Sequence, residues 1–115
     1  PVSQFYCHCS DCRRVLGGAY ALEALYPARA VSVAGETISF TLERTPRVSC
    51  AACGTRLYAD LPAFKMRGVN GTLLPGFKAE FHMHCSEALA PAHDDLPHYT
   101  KKPAAFGGDD TQVDW

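Results

Sequence analysis

Five of the six cysteines in this chain fall in two tight clusters. The first is Cys7-His8-Cys9-Ser10-Asp11-Cys12-Arg13-Arg14, and the second is Cys50-Ala51-Ala52-Cys53-Gly54. Cysteines this close suit metal chelation far better than disulfide bonding, because a bridge needs two Cα atoms at a specific spacing and orientation. Two thiols separated by two residues reach one ion from a single turn, and Gly54 supplies the permissive backbone such a turn uses. The chain is therefore expected to fold around bound metal with its thiols reduced, as in a cytoplasmic compartment.

The odd number leaves two assignments open. In one, Cys9, Cys12, Cys50 and Cys53 close a single four-cysteine zinc site, Cys7 is spare, and the domain is a structural or interaction module. In the other, Cys7, Cys9 and Cys12 share one ion and leave its fourth position free for water or substrate, which is the catalytic pattern. Cys50 and Cys53 then belong elsewhere. One or two Zn²⁺ per chain follow. A third reading, a redox protein using CxxC thiols, lacks the strand–CxxC–helix context.

Composition excludes other classes. At 115 residues and 47% hydrophobic, the chain is expected to form a single globular domain over 1–115. Its formal net charge of -1, with basic residues scattered from Arg13 to Lys102, argues against a nucleic-acid-binding face. No run of about 18 apolar residues is present to span a membrane. The first residues, Pro1–Tyr6, lack the charged and apolar regions of a secretory signal.

Alternation points to an all-β class. Ile38, Phe40 and Leu42 alternate with Thr37, Ser39, Thr41 and Glu43, the cleanest period-two signal in the chain. Tyr20, Leu22, Ala24 and Tyr26 face one way, with Glu23 opposite. Phe77, Ala79, Phe81 and Met83 alternate with Lys78, Glu80, His82 and His84, which places both histidines on one polar strand face. Arg56–Leu61 and Val31–Val33 read as shorter strands. No helical repeat of useful length is expected, apart from a short helix near Ser86–Leu89. Pro91–Trp115, rich in Pro, Gly and Asp, reads mostly as coil.

The first motif, followed by Gly17 and Gly18, resembles the signature of the glutathione-dependent formaldehyde-activating enzyme family, also called the centromere protein V family. Val48-Ser49-Cys50-Ala51-Ala52-Cys53-Gly54-Thr55-Arg56-Leu57-Tyr58 resembles its second zinc knuckle. The strand ending in His82-Met83-His84, followed by Asp94-Asp95-Leu96-Pro97, resembles its tail. The resemblance implies a β-tent fold, small sheets organised around two zinc ions. It implies that Cys7, Cys9 and Cys12 hold a catalytic zinc, and that Cys50 and Cys53 are half of a structural site. In the family, the other half comes from a Gly-x-Cys-x-Cys-Gly segment ahead of the first motif. These 115 residues contain no such segment. Its absence leaves a sheet edge free, and an open edge favours pairing into a homodimer.

The activity so implied is carbon–sulfur lyase chemistry on a glutathione–aldehyde adduct such as S-hydroxymethylglutathione. Three thiolates give a Zn²⁺ site a net charge of -1, which Arg13 and Arg14 are placed to offset. Arg13 is also the candidate contact for a glutathione carboxylate. The remaining polar residues carry simpler expectations. His8 points away from the ion, toward solvent or packing. His82 and His84 are expected on an exposed strand face, Cys85 as a small buried hydrophobe, and Asp94 and Asp95 as loop or cap residues.

Overall fold

A computed structural model describes all 115 residues. Seven strands form one sheet: β1 (Ser3–Cys7), β2 (Ala21–Pro27), β3 (Thr37–Thr41), β4 (Pro46–Cys50), β5 (Arg56–Leu61), β6 (Met66–Asn70) and β7 (Phe81–Met83). Their order across the sheet is β3-β4-β5-β6-β2-β1-β7. Every pairing is antiparallel except β1 with β7. The class is thus all-β, as expected, but with one continuous sheet where several small ones were expected.

One helix, α1 (Ser10–Leu16), interrupts the all-strand pattern. Seven residues are too few for a periodic signal, so alternation does not reveal it. Its signals are terminal. The Cys9 side chain accepts from the Cys12 N–H, Asp11 lies in the first turn, and Arg13 and Arg14 lie in the last. Gly17 closes the helix at φ 70°, donating to the Arg13 carbonyl.

The strand register sorts the chain onto two faces. Phe5 and Cys7 lie beside Glu23 and Ala21 on β2, and beside Phe81 and Met83 on β7. Gly68, Ala59 and Arg47 continue that face across β6, β5 and β4. Tyr6, Leu22 and His82 lie on the opposite face. The first face carries the core: Phe5, Cys7, Cys12 and Ala21 are buried, with Cys9, Phe81, Met83 and Phe106 packed against them. Phe5 and Phe81 stack with ring centroids 5.2 Å apart. The thiols of the first motif are therefore core residues as well as metal-ligand candidates.

Several strand expectations change. The Thr37–Thr41 strand forms, but at the sheet edge, where Ile38 and Phe40 remain exposed. Its alternation predicted a strand and not a buried face. Val31–Val33 has no strand partner; a 3-10 turn, Ala28–Ala30, precedes it instead. The expected Phe77–His84 strand shortens to Phe81–Met83; at its C-terminal end His84 turns to φ 56° and caps a 3-10 turn over Cys85–Glu87. That turn replaces the short helix expected near Ser86–Leu89. The C-terminal stretch is tied down: His82 N–H donates to the Pro97 carbonyl, and Tyr99 N–H donates back to the His82 carbonyl. A second bridge joins Tyr99 and Gln112.

Gly71 follows β6 where the chain passes under Phe77. A Cβ there would lie 2.5 Å from the Phe77 ring and 2.9 Å from Leu22 Cβ, closer than atoms can pack. Gly71→Ala is expected to cost about 1–3 kcal/mol by overpacking. Urea denaturation measures it, and a cost near zero would mean that Phe77 moves aside freely.

Candidate metal centre

Two elements, β1 and α1, bring the first cluster together. Cys7 ends β1, Cys9 caps α1, and Cys12 lies one turn into the helix. Their sulfur atoms lie within 4.8 Å of one another. Three Zn–S bonds of about 2.3 Å at tetrahedral angles set sulfur atoms about 3.8 Å apart, so an ion needs less than about 1 Å of closure. Donor type and spacing both fit a soft divalent metal. Cys7 and Cys12 are buried, and Cys9 is partly open.

Without a cation, three adjacent thiols cannot all ionise. Cys9 is the one that loses its proton first: the Cys12 and Cys7 thiols donate to it, and the Cys12 N–H at the helix start adds a third bond. Cys7 is held well above the usual thiol range by its bonds to Cys12 and Cys9 and by burial. At Cys12 the bond from Cys7 pulls downward, but the bond to Cys9 and burial outweigh it and the thiol rises. A site in which one thiolate is ready and two protons are displaced is what metal binding requires.

The compensating cation is not the one the sequence suggested. Arg13 Nε donates to the His8 carbonyl at 3.2 Å, and Arg14 is solvent-exposed beside Glu43 at 3.9 Å. Arg47, only 5% exposed, takes the role instead: Nη1 donates to Cys12 Sγ at 3.4 Å and Nη2 to Asp11 Oδ2 at 3.0 Å. Glu23 Oε1 lies 3.9 Å from Arg47 Nη1. Arg47 sits 35 positions from Cys12, and by sequence it is indistinguishable from the other scattered basic residues. No local pattern could have found it.

Glu23 lines a small cavity with Arg47, Arg56 and Asn70. Burial pushes its carboxyl up to about 8, against the pull of Arg47. Gly68 leaves room for it, since a Cβ at that position would collide with Glu23 Oε2. The sign of the linkage follows. Between about pH 4.5 and 8 the folded chain holds a proton at Glu23 that the unfolded chain has released, so this group's contribution to stability falls as pH rises through that window. The slope is at most about 1.4 kcal/mol per pH unit. Glu23→Gln is expected to remove it. Urea melts of parent and variant at several pH values in that window would show a gap that widens in favour of Gln; parallel curves would refute it.

Cys50 and Cys53 stand apart from this centre. Cys50 ends β4 opposite Thr37, and Cys53 is exposed in the following turn. Gly54 has φ 76° and donates to the Cys50 carbonyl at 2.9 Å, so the knuckle turn forms as its glycine predicted. Cys53 Sγ lies 3.1 Å from Thr55 Oγ1. The hydrogen bond from Thr55, with help from Cys50, lowers the Cys53 thiol below its usual range. These two sulfurs do not join Cys9 and Cys12, so the single four-cysteine site is not assembled.

His82 and His84 depart from expectation, whereas His8 packs as expected. His82 is not on an exposed face: its ring is 1% exposed, with Nδ1 2.8 Å from His8 Nε2 and Nε2 2.7 Å from Asp94 Oδ2. His8 is buried by packing, and burial and the neighbouring His82 depress it to about 4. Asp94 does act as a loop residue, accepting from Leu96 N–H, but it also bonds His82. His84 leaves the strand and lies 3.6 Å from Glu87. Cys85 is buried as expected, and burial raises its thiol to about 12.

No helix is long and apolar enough to cross a membrane. A search of curated proteins finds no match to the chain. The profile of the family described as glutathione-dependent formaldehyde-activating enzyme matches residues 1–93, which include both thiol clusters and β1 through β7. That is well over half of the 115 residues, and the chain belongs to the glutathione-dependent formaldehyde-activating enzyme family.

Proposed function

We propose that this protein is a zinc-dependent enzyme that makes or breaks the carbon–sulfur bond between glutathione and a small aldehyde, as in S-hydroxymethylglutathione. The convergence of Cys7, Cys9 and Cys12 carries the reading. Zinc held by these three thiolates would keep a fourth position for substrate and supply Lewis acidity there. The chain's own groups supply the rest. Arg47 places positive charge against Cys12 Sγ, which offsets the excess negative charge of a three-thiolate site.

Glu23, protonated near neutral pH, is the candidate proton donor. As the glutathione sulfur bonds to the aldehyde carbon and the C=O π bond opens, a proton must reach the oxygen. The proton released by the glutathione thiol restores the carboxyl. A group whose ordinary value is near 4.5 could not hold that proton at pH 7; burial of Glu23 makes it possible.

Arg13 and Arg14 line an open depression with Gly17, Gly18, Ala19 and Leu89. Arg13 uses Nε for the His8 carbonyl and keeps its terminal nitrogens for a carboxylate of glutathione. Arg13→Ala is expected to raise KM for the adduct roughly tenfold (about 1.4 kcal/mol) with little change in kcat. An equal loss in both parameters would remove Arg13 from substrate binding. Cys50 and Cys53 are read as a two-thiol half of a second zinc site. The free thiols throughout suit a reducing, cytoplasmic setting.

Exchange spectroscopy on a mixture of formaldehyde and glutathione tests the activity. Zinc-loaded protein is expected to speed exchange between free and hydroxymethylated glutathione above the spontaneous rate. Unchanged exchange at micromolar protein would overturn the reading.

A further inference from the structure

The face of the sheet opposite the thiols carries a second group of donors that the proposed chemistry does not use. His82 Nε2, Asp94 and His98 Nε2 bring three potential ligand atoms within 4.8 Å of one another. The backbone fixes two of them. His82 and His98 form a parallel bridge, so their side chains leave the same side, and their rings lie 4.7 Å apart. Asp94 reaches both: Oδ2 is 2.7 Å from His82 Nε2, and Oδ1 is 3.0 Å from His98 Nε2.

These contacts are not equivalent. His82 to Asp94 is a well-formed hydrogen bond. His98 Nε2, on a ring 7% exposed, is at contact distance from Asp94 Oδ1 but off the line a hydrogen bond needs, and it has no other partner. A buried imidazole nitrogen without a bond has given up its hydration with nothing in return. A cation among the three donors would satisfy it and would take the place of the proton between His82 and Asp94.

We propose that His82, Asp94 and His98 form a second divalent-metal site, built of nitrogen and oxygen donors, on the face of the sheet opposite the thiols. Two neutral imidazoles and one carboxylate are a common set for zinc and other first-row divalent ions, and three protein ligands leave the ion an open position. The spacing is close to what binding needs. Metal bonds of about 2.0–2.1 Å at tetrahedral angles set donors about 3.3 Å apart, so the two Asp94 contacts open by about 0.3 and 0.6 Å. The two rings, 27° from parallel, turn about their Cβ–Cγ bonds to aim both nitrogens at one point. Asp94 is 37% exposed, which gives an ion a way in.

Supporting contacts around these ligands are also in place. A metal-bound histidine is oriented by a hydrogen bond at its other ring nitrogen. His82 has such a partner, its Nδ1 lying 2.8 Å from His8 Nε2. The Trp115 ring packs on His98 with centroids 5.1 Å apart and on His8 at 5.5 Å, which covers the pair with an apolar wall. The site shares no ligand with Cys7, Cys9 and Cys12, so it stands or falls apart from the proposed thiol chemistry.

Long-range ¹H–¹⁵N spectra of the histidine rings, recorded while zinc chloride is added to the intact protein, test the proposal. The Nε2 resonances of His82 and His98 are expected to move together and saturate after one equivalent beyond that taken by the thiols. His98→Gln and Asp94→Asn are each expected to lose one equivalent of zinc. The thiolate-to-cobalt charge-transfer band of the cobalt-substituted protein should survive both changes. The ring spectra of the unmodified protein decide the matter even where a variant fails to fold. Ring nitrogens that hold their metal-free shifts at tenfold excess zinc would overturn the site.

Discussion

Cys9→Ser is expected to abolish metal binding at the three-thiol centre while leaving the fold intact. Cys9 has two jobs that the substitution separates. As a ligand it is the thiol that ionises first, and without it only Cys7 and Cys12 remain, too few to retain an ion in a site that keeps one position open. As the cap of α1 it accepts the Cys12 N–H at 3.3 Å. Serine is among the best residues for that second job, so the helix keeps its start. Binding of zinc to thiolate sites is worth about 10–16 kcal/mol in small zinc domains, so loss of even a third of that drops affinity by several orders of magnitude. Elemental analysis is expected to show one equivalent of zinc lost and circular dichroism an unchanged spectrum. Full zinc content with full exchange activity in the variant would sink both the ligand assignment and the proposed function.

Arg47→Met is expected to destabilise the protein by about 3–5 kcal/mol, the cost of breaking a buried ion pair from one side. The change strands two groups at once, since Asp11 and Cys12 both lose their donor. Only 17 of the 115 residues are buried, so the loss is large against a total of about 5–15 kcal/mol for a typical domain. Arg47→Lys is not expected to rescue it, because one ammonium cannot reproduce the fork that reaches Asp11 and Cys12 together. A double-mutant cycle with Asp11→Asn isolates the pair, and the coupling should exceed about 1 kcal/mol. Urea denaturation that shows less than about 1 kcal/mol for Arg47→Met would mean that the guanidinium is not holding the centre. Zinc affinity in Arg47→Lys separately reports its effect on the metal, with a loss of about 10–100-fold expected for a residue that hydrogen-bonds a ligand.

Where the sequence read well, it did so through local pattern. Cys7, Cys9 and Cys12 are so close in the chain that almost any compact backbone brings their sulfurs together, and the strand–cap–helix arrangement does so within 4.8 Å. The Gly54 turn was legible for the same reason: a positive φ at one glycine is a local event. The helix α1 was written in its caps, Cys9 and Gly17, and missed because periodicity needs more than seven residues.

Burial was less legible. Ile38 and Phe40 have the clearest alternation and sit exposed on an edge, whereas His82, placed by alternation on a polar face, is 1% exposed. Alternation tells which residues share a face but not what covers it. The C-terminal stretch covers His82 through the Pro97, His98 and Trp115 contacts, and nothing near His82 in the chain announces them.

The sequence by itself determined the all-β class, the family and the three thiols, since each rests on spacings of a few residues. Only the tertiary structure decided what surrounds them. Arg47 reaches Cys12 across 35 positions, Glu23 gains its proton from burial over Gly68 of β6, and His98 meets His82 by a bridge from beyond the Asp94 loop. Such placements depend on which strands pair and on what lies above each face. Those are non-local choices made by the whole sheet, and the residues concerned carry no local mark of them.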